Sequence, residues 1–363
     1  MKEKLGDIAV TDKDYKDLIY SIIVPQELPQ EEQNARYQPL VDFLQTETPS
    51  SLYRFRECNE NSISAFDQDQ IWFAPGSEMN DDFDALLFLD RNTIYSNLER
   101  SLASFGAEIP NSALNSFPDD IAASVQAQFR QMSEAEINEF RKQLHCFLVN
   151  RLDANMPKIE HIIQSVLKFA CFSETIDSAA MWGYYANSGT GFALAYDFRN
   201  QNYTDCTLCE KRFFCPSAKT GSLFRVIYDD IPFDATGYGT WLLQYQIAHD
   251  MAPNKQFANL SSLLSQTNPC PDLFMSSKII LHKSTSWRHE KEWRMIYSCN
   301  PQIDGQEKFV WAKKRPTAVY LGRKISPLNE KLLRHIAVEK SIPVYKMAIN
   351  HEQSSYKLVP RPI

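Results

Sequence analysis

The fold class is decided by residues 290–321, which are EKEWRMIYSCNPQIDGQEKFVWAKKRPTAVYL. Short apolar and aromatic runs in this stretch are separated by turn residues such as Asn300-Pro301 and Asp304-Gly305. Parallel neighbours would need crossovers of about a dozen residues or more, so we expect these closely spaced strands to pair antiparallel. The C-terminal strands are predicted at Glu290–Ser298, Lys308–Trp311, Thr317–Leu321, Pro343–Ile349 and Tyr356–Val359, with a helix near Leu328–Val338.

Strand patterns also occur upstream of this region, where helical patterns interrupt them. Between about residues 90 and 168, apolar residues recur three and four apart behind the capping box Ser133–Glu136. Pro157 suits the first turn of a further helix, so this interval is predicted to be a helical insertion of several helices. The upstream strands are predicted at Leu52–Arg56, Ile71–Phe73, Phe169–Ser173, Gly191–Tyr196 and Leu223–Asp229.

Residues 1–50 are predicted to form a helical N-terminal leader. Leu18, Ile19 and Ile22 fall three and four apart on one apolar face, and Pro25 would end that helix. The predicted fold is therefore α+β, with a split, mostly antiparallel sheet in a single domain over residues 51–363. The helical insertion of about residues 90–168 belongs to that domain.

Composition describes an ordinary soluble globular protein. The 363 residues are 44% hydrophobic and 23% charged, and no run of 18 apolar residues exists that could span a membrane. The N-terminus lacks the apolar stretch of a signal peptide, so the eight cysteines are expected to be reduced thiols in the cytoplasm.

The charge is uneven along the chain. The net charge is −7, yet Ser276–Ile363 contains 17 Lys and Arg against 7 Asp and Glu. This basic segment is consistent with an anion or nucleic-acid site, and equally with a solvated charged surface.

Two pairs of charged residues are candidates for chemistry. On the strand Leu52–Arg56, Arg54 and Arg56 share one face, where two guanidiniums could bind a pyrophosphate or could simply be solvated. Glu290 and Glu292 also lie two apart, so their carboxylates are expected to perturb each other's protonation. An ionised Glu292 could stabilise positive charge that develops on a sugar, or the pair could belong to a cross-strand ion-pair ladder.

An aromatic segment follows the strand that ends at Ser173. Trp182, Tyr184 and Tyr185 precede a glycine-rich turn at Ser188–Gly191. Such a helix and turn could form a stacking slot for a flat ring, or the aromatics could pack the helix against the sheet.

Acidic and cysteine clusters raise the question of metals. Glu78–Asp84 contains four acids, which could hold a divalent cation or cap a helix start; the cap is favoured because no second acidic cluster exists. Cys206-x-x-Cys209 with Cys215 is half of a zinc site, and Cys270 could supply a fourth ligand. Because no second Cys or His pair is present, free thiols are expected there and no metal ligand is assigned.

Five motifs occur together in order: LYRFR, IWFAPGSEMNDDFD, ACFSETIDSAAMWGYYANSGTGFALAYD, RVIYDD and KSTSWRHEKEWRMIY. Together they resemble the bacterial family known as domain of unknown function 2971, over roughly residues 51–325. Asp82 departs from that family, which more often has Pro after Asn-Asp. The family name implies no activity.

The order of strand arginine, strand serine with aromatics, and late Glu-x-Glu is also similar to that of ADP-ribosyltransferases. That resemblance implies that Arg54 or Arg56 contacts NAD and that Ser173 with an aromatic shelf holds nicotinamide. The shelf would be Tyr184 or Tyr185, with Trp182 nearby. It further implies that Glu292 binds the nicotinamide ribose and that Glu290 activates the acceptor.

The leading hypothesis is an ADP-ribosyltransferase-like enzyme that uses NAD as substrate and cleaves its nicotinamide–ribose bond. The acceptor would be a macromolecule, nucleic acid or protein, or water. One alternative is a non-catalytic module that binds nucleic acid or an acidic protein through the basic segment. Another is a metal-dependent nuclease that uses Glu292 with the acids Glu78, Asp81, Asp82 and Asp84.

Overall fold

The computed structural model describes residues 11–103, 123–199 apart from 124, 125 and 129, 222–251, 269–297, 309–351 and 356–363. Within them, the α+β class predicted from the sequence is confirmed. The N-terminal helices are α1 (Asp12–Ser21) and α2 (Gln30–Glu47). Tyr15 and Ile19 of α1 are buried in the same hydrophobic cluster as the apolar side chains of the sheet. The N-terminal leader therefore packs against the main core.

Helices also interrupt the strands, as predicted. The long helix Glu134–Val166 continues through Pro157, where the sequence predicted a new helix start. Proline removes one helical hydrogen bond, but Met156, Ile159 and Ile163 on either side are buried in one hydrophobic cluster that keeps the helix continuous. The remaining helices are α3 (Glu60–Asp67), α4 (Arg91–Ala103), α5 (Glu134–Val166), α6 (Ala179–Tyr184), α7 (Thr236–Met251), α8 (Met275–Ile280) and α9 (Pro327–Glu339).

Twelve strands are present in the described residues. In chain order they are β1 (Leu52–Arg56), β2 (Gln70–Pro75), β3 (Lys168–Ser173), β4 (Phe192–Tyr196), β5 (Ser222–Arg225), β6 (Ile227–Tyr228), β7 (His282–Lys283), β8 (Glu292–Tyr297), β9 (Val310–Lys313), β10 (Ala318–Leu321), β11 (Val344–Ile349) and β12 (Leu358–Pro362).

Ten of these strands form one sheet, in which the neighbours follow the order β12, β11, β10, β4, β1, β3, β2 and β9. β8 lies beside β3 and β5. All pairs in this sheet are antiparallel except β10 with β11, which α9 connects. The predicted antiparallel character is thus confirmed for most of the sheet. A separate parallel pair consists of β6 and β7.

The sheet is split along one edge of β3. Its first edge pairs with β8 over its full length, from Lys168 to Ser173. Its second edge pairs with β2 at Lys168 and Phe169, and with β1 at Ser173 alone. Residues 170–172 therefore have no strand partner on that second edge within the described part of the chain. The separation between β1 and β3 positions the candidate site.

The strand register decides which face of the sheet each side chain occupies. Tyr53 pairs with Ser173, and Ser173 pairs with Glu292, so these three side chains share a face. Arg54 and Arg56 alternate with Tyr53 and therefore occupy the opposite face. We call these the glutamate face and the arginine face.

Candidate functional site

A cavity of about 300 Å³ lies where β1 separates from β3. Residues 53–56 line one side and residues 169–173 line the other, so residues of both faces of the sheet contribute to its lining. The remaining lining residues come from β2 and the loop after it, from α6 and the residue after it, and from the segment between β7 and the start of β8. They are Ala74, Glu78, Met79, Asn80, Asp84, Met181, Tyr185, Lys283, Glu290 and Glu292.

The glutamate face carries a buried cluster of five charged residues, which we call the cavity cluster: Asp84, Lys283, Glu290, Glu292 and Arg294. The Lys283 ammonium lies 2.7 Å from Glu290 Oε2 and 2.9 Å from Glu292 Oε2. The Arg294 guanidinium lies 2.8 Å from Glu292 Oε1 and 2.6 Å from Asp84 Oδ1. Three acids thus share two bases, which leaves an excess of one negative charge when all are ionised.

The three carboxyl groups of the cavity cluster differ in how readily they ionise. Burial raises the pKa of Glu290 and of Asp84, despite the attraction of neighbouring cations. Burial alone would also raise the pKa of Glu292, but the charges of Arg294 and Lys283 and their hydrogen bonds outweigh it and hold that pKa at about 2. Glu292 is therefore the member of the cluster that is held ionised, whereas the raised pKa values of Glu290 and Asp84 make these two acids easier to protonate.

Hydrogen bonds fix the position of Glu290. Tyr185 donates its hydroxyl to Glu290 Oε1, and Asn80 donates to the Tyr185 oxygen at 2.9 Å. Ser173 Oγ donates to the backbone carbonyl of Glu290 at 2.7 Å. Ser173 therefore positions the loop that carries Glu290.

Glu290 and Glu292 converge through a local turn. Glu290 ends a 3-10 helix (Thr285–Glu290), Lys291 adopts left-handed backbone angles with φ of 45°, and Glu292 begins β8. The sequence predicted that both carboxylates project from one face of a strand. Both do reach Lys283, but the turn at Lys291 brings them there, since Glu290 lies outside the strand.

The arginine face has a different electrostatic character. Arg54 donates to the backbone carbonyl of Trp72 and stacks over the Phe172 ring, while its Nη1 is buried without a hydrogen-bond partner. No carboxylate pairs with Arg54 or Arg56 among the residues that the structure describes. Burial, and to a smaller extent the charge of Arg56, lowers the pKa of Arg54 to about 9.

The predicted aromatic shelf is divided between three locations. Tyr185 lines the cavity. Trp182 is buried, packs edge-on against Phe55 and donates its indole N–H to the carbonyl of Ile176. Tyr184 is 68% exposed and lies outside the cavity lining. The structure therefore brings Arg54, Arg56, Ser173, Tyr185, Glu290 and Glu292 to one cavity, without Trp182 or Tyr184.

The acidic stretch Glu78–Asp84 forms turns, and no α-helix begins there, so the predicted cap is wrong. Asp81 instead accepts the backbone N–H of Phe83, while Asp84 turns inward to Arg294. Within the described ranges, no group of three or more His, Cys, Asp and Glu side chains could hold a metal ion. The candidate zinc residues Cys206, Cys209 and Cys215 lie outside the described residues, and Cys270 is a free thiol.

Sequence reasoning gave no role to Lys283 or Arg294, although both lie in the quoted motif KSTSWRHEKEWRMIY. The sequence did contain a signal for Arg294. It lies two residues after Glu292 on one strand, so the two side chains must share a face of the sheet. Lys283 gave no such signal, since its side chain reaches the glutamates from a separate two-residue strand.

No helix in the described part of the chain has the length and apolar character needed to cross a membrane. A search of curated proteins and a search of solved structures each found no match to the chain. Residues 181–295 match the family model described as a protein of unknown function, DUF2971. The matched segment contains Tyr185, Lys283, Glu290, Glu292 and Arg294, and the strands with Arg54 and Ser173 precede it. The resemblance to that family is supported over this segment, and the comparisons give no support to the resemblance to ADP-ribosyltransferases.

Proposed function

We propose that the protein cleaves the nicotinamide–ribose bond of NAD and transfers ADP-ribose to an acceptor. The observation that carries this proposal is the convergence of Arg54, Tyr185, Glu290 and Glu292 on one cavity. These side chains come from β1, the end of α6 and the start of β8, which are far apart in the chain. Their chemistry matches the two ends of the substrate.

The charges of the cavity complement those of NAD. Its nicotinamide ring is a cation, and the cavity cluster has more acids than bases. Its pyrophosphate is an anion, and on the opposite face Arg54 is buried and Arg56 is half-buried, both without carboxylate partners in the described residues. A ligand that spans the gap between β1 and β3 would meet both regions, and its phosphates would supply the acceptor that Arg54 Nη1 lacks.

The two glutamates are suited to separate roles. When the glycosidic bond breaks, nicotinamide leaves with the bonding electrons and the ribose acquires oxocarbenium character. The ionised Glu292 would stabilise that positive charge. An acceptor hydroxyl then attacks C1′, and its proton passes to Glu290, whose raised pKa makes it a stronger base than Glu292.

Cys171 is the group that substrate would displace at Glu292. Arg294 donates twice to this carboxylate and Lys283 once, and the Cys171 thiol contributes a further hydrogen bond. A carboxylate has about four acceptor positions, and a thiol is the weakest of these donors. Because Cys171 lines the cavity, a ribose hydroxyl could take its place at Glu292.

The size of the cavity limits how much of the substrate it encloses. At about 300 Å³ it lies at the small end of ligand sites, which span roughly 300–1,000 Å³. We therefore expect it to enclose the nicotinamide and its ribose, with the adenosine outside.

The test is release of nicotinamide from NAD labelled in that ring, with wild type and Glu292→Gln compared. We expect the variant to lose at least about a hundredfold in rate, equivalent to ~3 kcal/mol of transition-state stabilisation. Equal release by both proteins would refute the assignment, as would no release by wild type with or without added nucleic acid or protein.

A matched control separates chemistry from folding. Asp272→Asn removes a carboxylate that is as buried as Glu292 and is paired with Lys278, but lies outside the cavity lining. We expect this variant to retain its release rate under conditions where it remains folded. Glu290→Gln is a second variant, and its release should lose the dependence on pH that the raised pKa of Glu290 produces.

A further inference from the structure

The glutamate face continues past the cavity to a pair of exposed tryptophans. Ala74 lines the cavity, and Trp72 precedes it by two residues on β2, so both side chains point to the same face. Trp72 pairs with Trp311 on β9. Trp72 is 39% exposed and Trp311 is 47% exposed. About 7 Å of strand separates Trp72 from the cavity wall.

This surface is basic as well as aromatic. Lys313 lies two residues beyond Trp311 on the same face, opposite Gln70 of β2, and it is exposed. Of the two basic residues that follow, Lys314 lies over the buried Phe198 ring and Arg315 donates to the backbone carbonyl of Lys340. The positive charge beside the tryptophans therefore comes from Lys313. Acidic side chains are absent from the paired residues 70–73 and 310–313.

Exposed indoles beside cations select one class of partner. Unpaired nucleobases stack on aromatic side chains whatever their sequence, and phosphates bind adjacent lysine and arginine. An acidic protein would use the cations but leave the two indole rings without a matching group. A duplex would use the cations too, but its bases are already stacked on one another.

We propose that Trp72, Trp311 and Lys313 form a platform for single-stranded nucleic acid, which presents a nucleotide to the cavity as the acceptor of ADP-ribose. The binding of nucleic acid is inferred from the residues of this surface alone, whereas the acceptor role rests on the proposed function. In the transfer, a nucleophilic atom of the nucleotide forms the bond to C1′ while nicotinamide leaves with the electron pair. The proton of the attacking group passes to Glu290.

Binding is tested without NAD, by fluorescence anisotropy of the full chain with a labelled single-stranded oligonucleotide, as DNA and as RNA. We expect Trp72→Ala and Trp311→Ala each to weaken binding by about fivefold to a hundredfold. Trp72→Phe and Trp311→Phe keep a ring for stacking and should restore most of the affinity. Tyr356→Ala, at a fully exposed aromatic residue near the opposite edge of the sheet, should bind like wild type.

The contribution of charge to binding is tested by varying the salt concentration and by the substitution Lys313→Gln. Wild-type affinity should fall with rising salt, with a shallower slope in Lys313→Gln than in Lys331→Gln, whose lysine is exposed on α9. The proposed platform is overturned if wild type does not bind the single strand, if a duplex binds equally well, or if the alanine variants bind like wild type.

The acceptor role has its own readout, which is transfer of label from NAD carrying radioactive phosphate to the bound oligonucleotide. We expect transfer by wild type and a loss in Trp72→Ala that matches its loss of binding. Nicotinamide release with no label on the strand would overturn the acceptor role and leave the proposed NAD cleavage standing. Tight single-strand binding without any nicotinamide release would refute the cleavage and the acceptor role together, while the binding platform would remain.

Discussion

Two buried lysines, Lys278 in α8 and Lys283 in β7, show how differently a protein can use an interior ion pair. Lys278 pairs with Asp272 at 2.8 Å, and both side chains are 3% exposed. The backbone N–H groups of Val24 and Phe274 also donate to this carboxylate, each at 3.0 Å. One acid meets one base, and the pair fastens the segment after α1 to the start of α8. We call it the closed pair.

Lys283 is equally buried, but its surroundings are different. It is shared between Glu290 and Glu292, with Asp84 at 3.8 Å, and the cluster borders a cavity. Acids exceed bases there. Burial keeps the pKa of Glu290 raised, while the charges of Arg294 and Lys283 keep Glu292 ionised. A balanced pair suits structure, whereas an unbalanced cluster at a cavity suits a ligand that brings positive charge.

The largest expected difference between the two regions is in stability. Removal of one partner from a buried ion pair costs about 3–5 kcal/mol, because the other charge is left unpaired. Lys278→Met leaves the Asp272 carboxylate without its cation. Arg294→Met removes the cation nearest to both Asp84 and Glu292 and leaves three buried acids to share Lys283. We therefore expect Arg294→Met to lose more free energy of unfolding in urea than Lys278→Met. An equal or smaller loss would show that the cavity cluster relaxes as easily as the closed pair.

A double substitution sharpens the same comparison. Lys278→Met with Asp272→Leu replaces both charges of the closed pair by apolar groups, and most of the lost stability should return. Nicotinamide release should be unaffected in this variant, since both residues lie outside the cavity lining. A change in release would connect the closed pair to the site.

The next expected effect is a pH dependence that belongs to Glu292. Its pKa is about 2 in the folded protein, below the ordinary value of 4.5, so its contribution to stability is complete above pH 4.5. That contribution disappears as the pH falls from 4.5 to 2, by an amount of the order of 3 kcal/mol. Urea unfolding of wild type and Glu292→Gln across this window measures it. Parallel curves for the two proteins would mean that Glu292 is not held ionised by its neighbours.

The ionisation of Glu290 changes the stability of the protein in the opposite direction and over a different range of pH. Because its pKa is raised in the folded protein, ionisation above pH 4.5 costs stability, and that cost is relieved as the pH falls toward 4.5. Glu290→Gln should therefore remove part of the decline in wild-type stability on the alkaline side of this value. The measurement is the difference in unfolding free energy between the two proteins from weakly acidic to neutral pH.

Arg54 provides a third case, a buried cation with no counter-ion in the described residues. Its unpartnered Nη1 costs stability, so Arg54→Met should unfold with a free energy about 1 kcal/mol higher than wild type. The same substitution should abolish stabilisation by pyrophosphate, which we expect to raise the Tm of wild type. A less stable Arg54→Met protein with unchanged response to pyrophosphate would show that the arginine is structural.

The fold was largely predictable because each strand has its own local pattern. The placement of Arg54 within β1 and of Glu292 on a late strand followed from alternation, although that strand begins at Glu292 and not at Glu290 as predicted. The face of the sheet on which the arginines lie could not be predicted in this way. A shift of one residue in the pairing of Tyr53 with Ser173 would place both arginines beside Glu292. That register depends on the packing of the whole sheet.

The partners of the glutamates were harder to predict than the glutamates themselves. Asp84 binds Arg294 across 210 residues of sequence, from a loop whose acidic sequence favours a helix cap over a metal site. Lys283 lies on a strand of two residues, too short to show a periodic pattern. Long-range contacts between loops leave no local signal in one sequence. Neighbouring residues can also separate in the fold. In one aromatic segment, Trp182 lies in the core, Tyr185 lines the cavity and Tyr184 lies on the surface.

The smallest expected effect separates the two adjacent tyrosines of that segment. Tyr184 is exposed outside the cavity, so Tyr184→Ala should change the free energy of unfolding by less than about 0.5 kcal/mol and leave nicotinamide release unchanged. Tyr185→Phe should instead alter the pH profile of release. The Tyr185 hydroxyl lowers the pKa of Glu290 by its hydrogen bond, so its loss raises that pKa further. Since Glu290 must be ionised to accept a proton, the acidic limb of the profile should move to higher pH in Tyr185→Phe alone. An identical shift in Tyr184→Ala, or none in Tyr185→Phe, would mean that Glu290 is not the base.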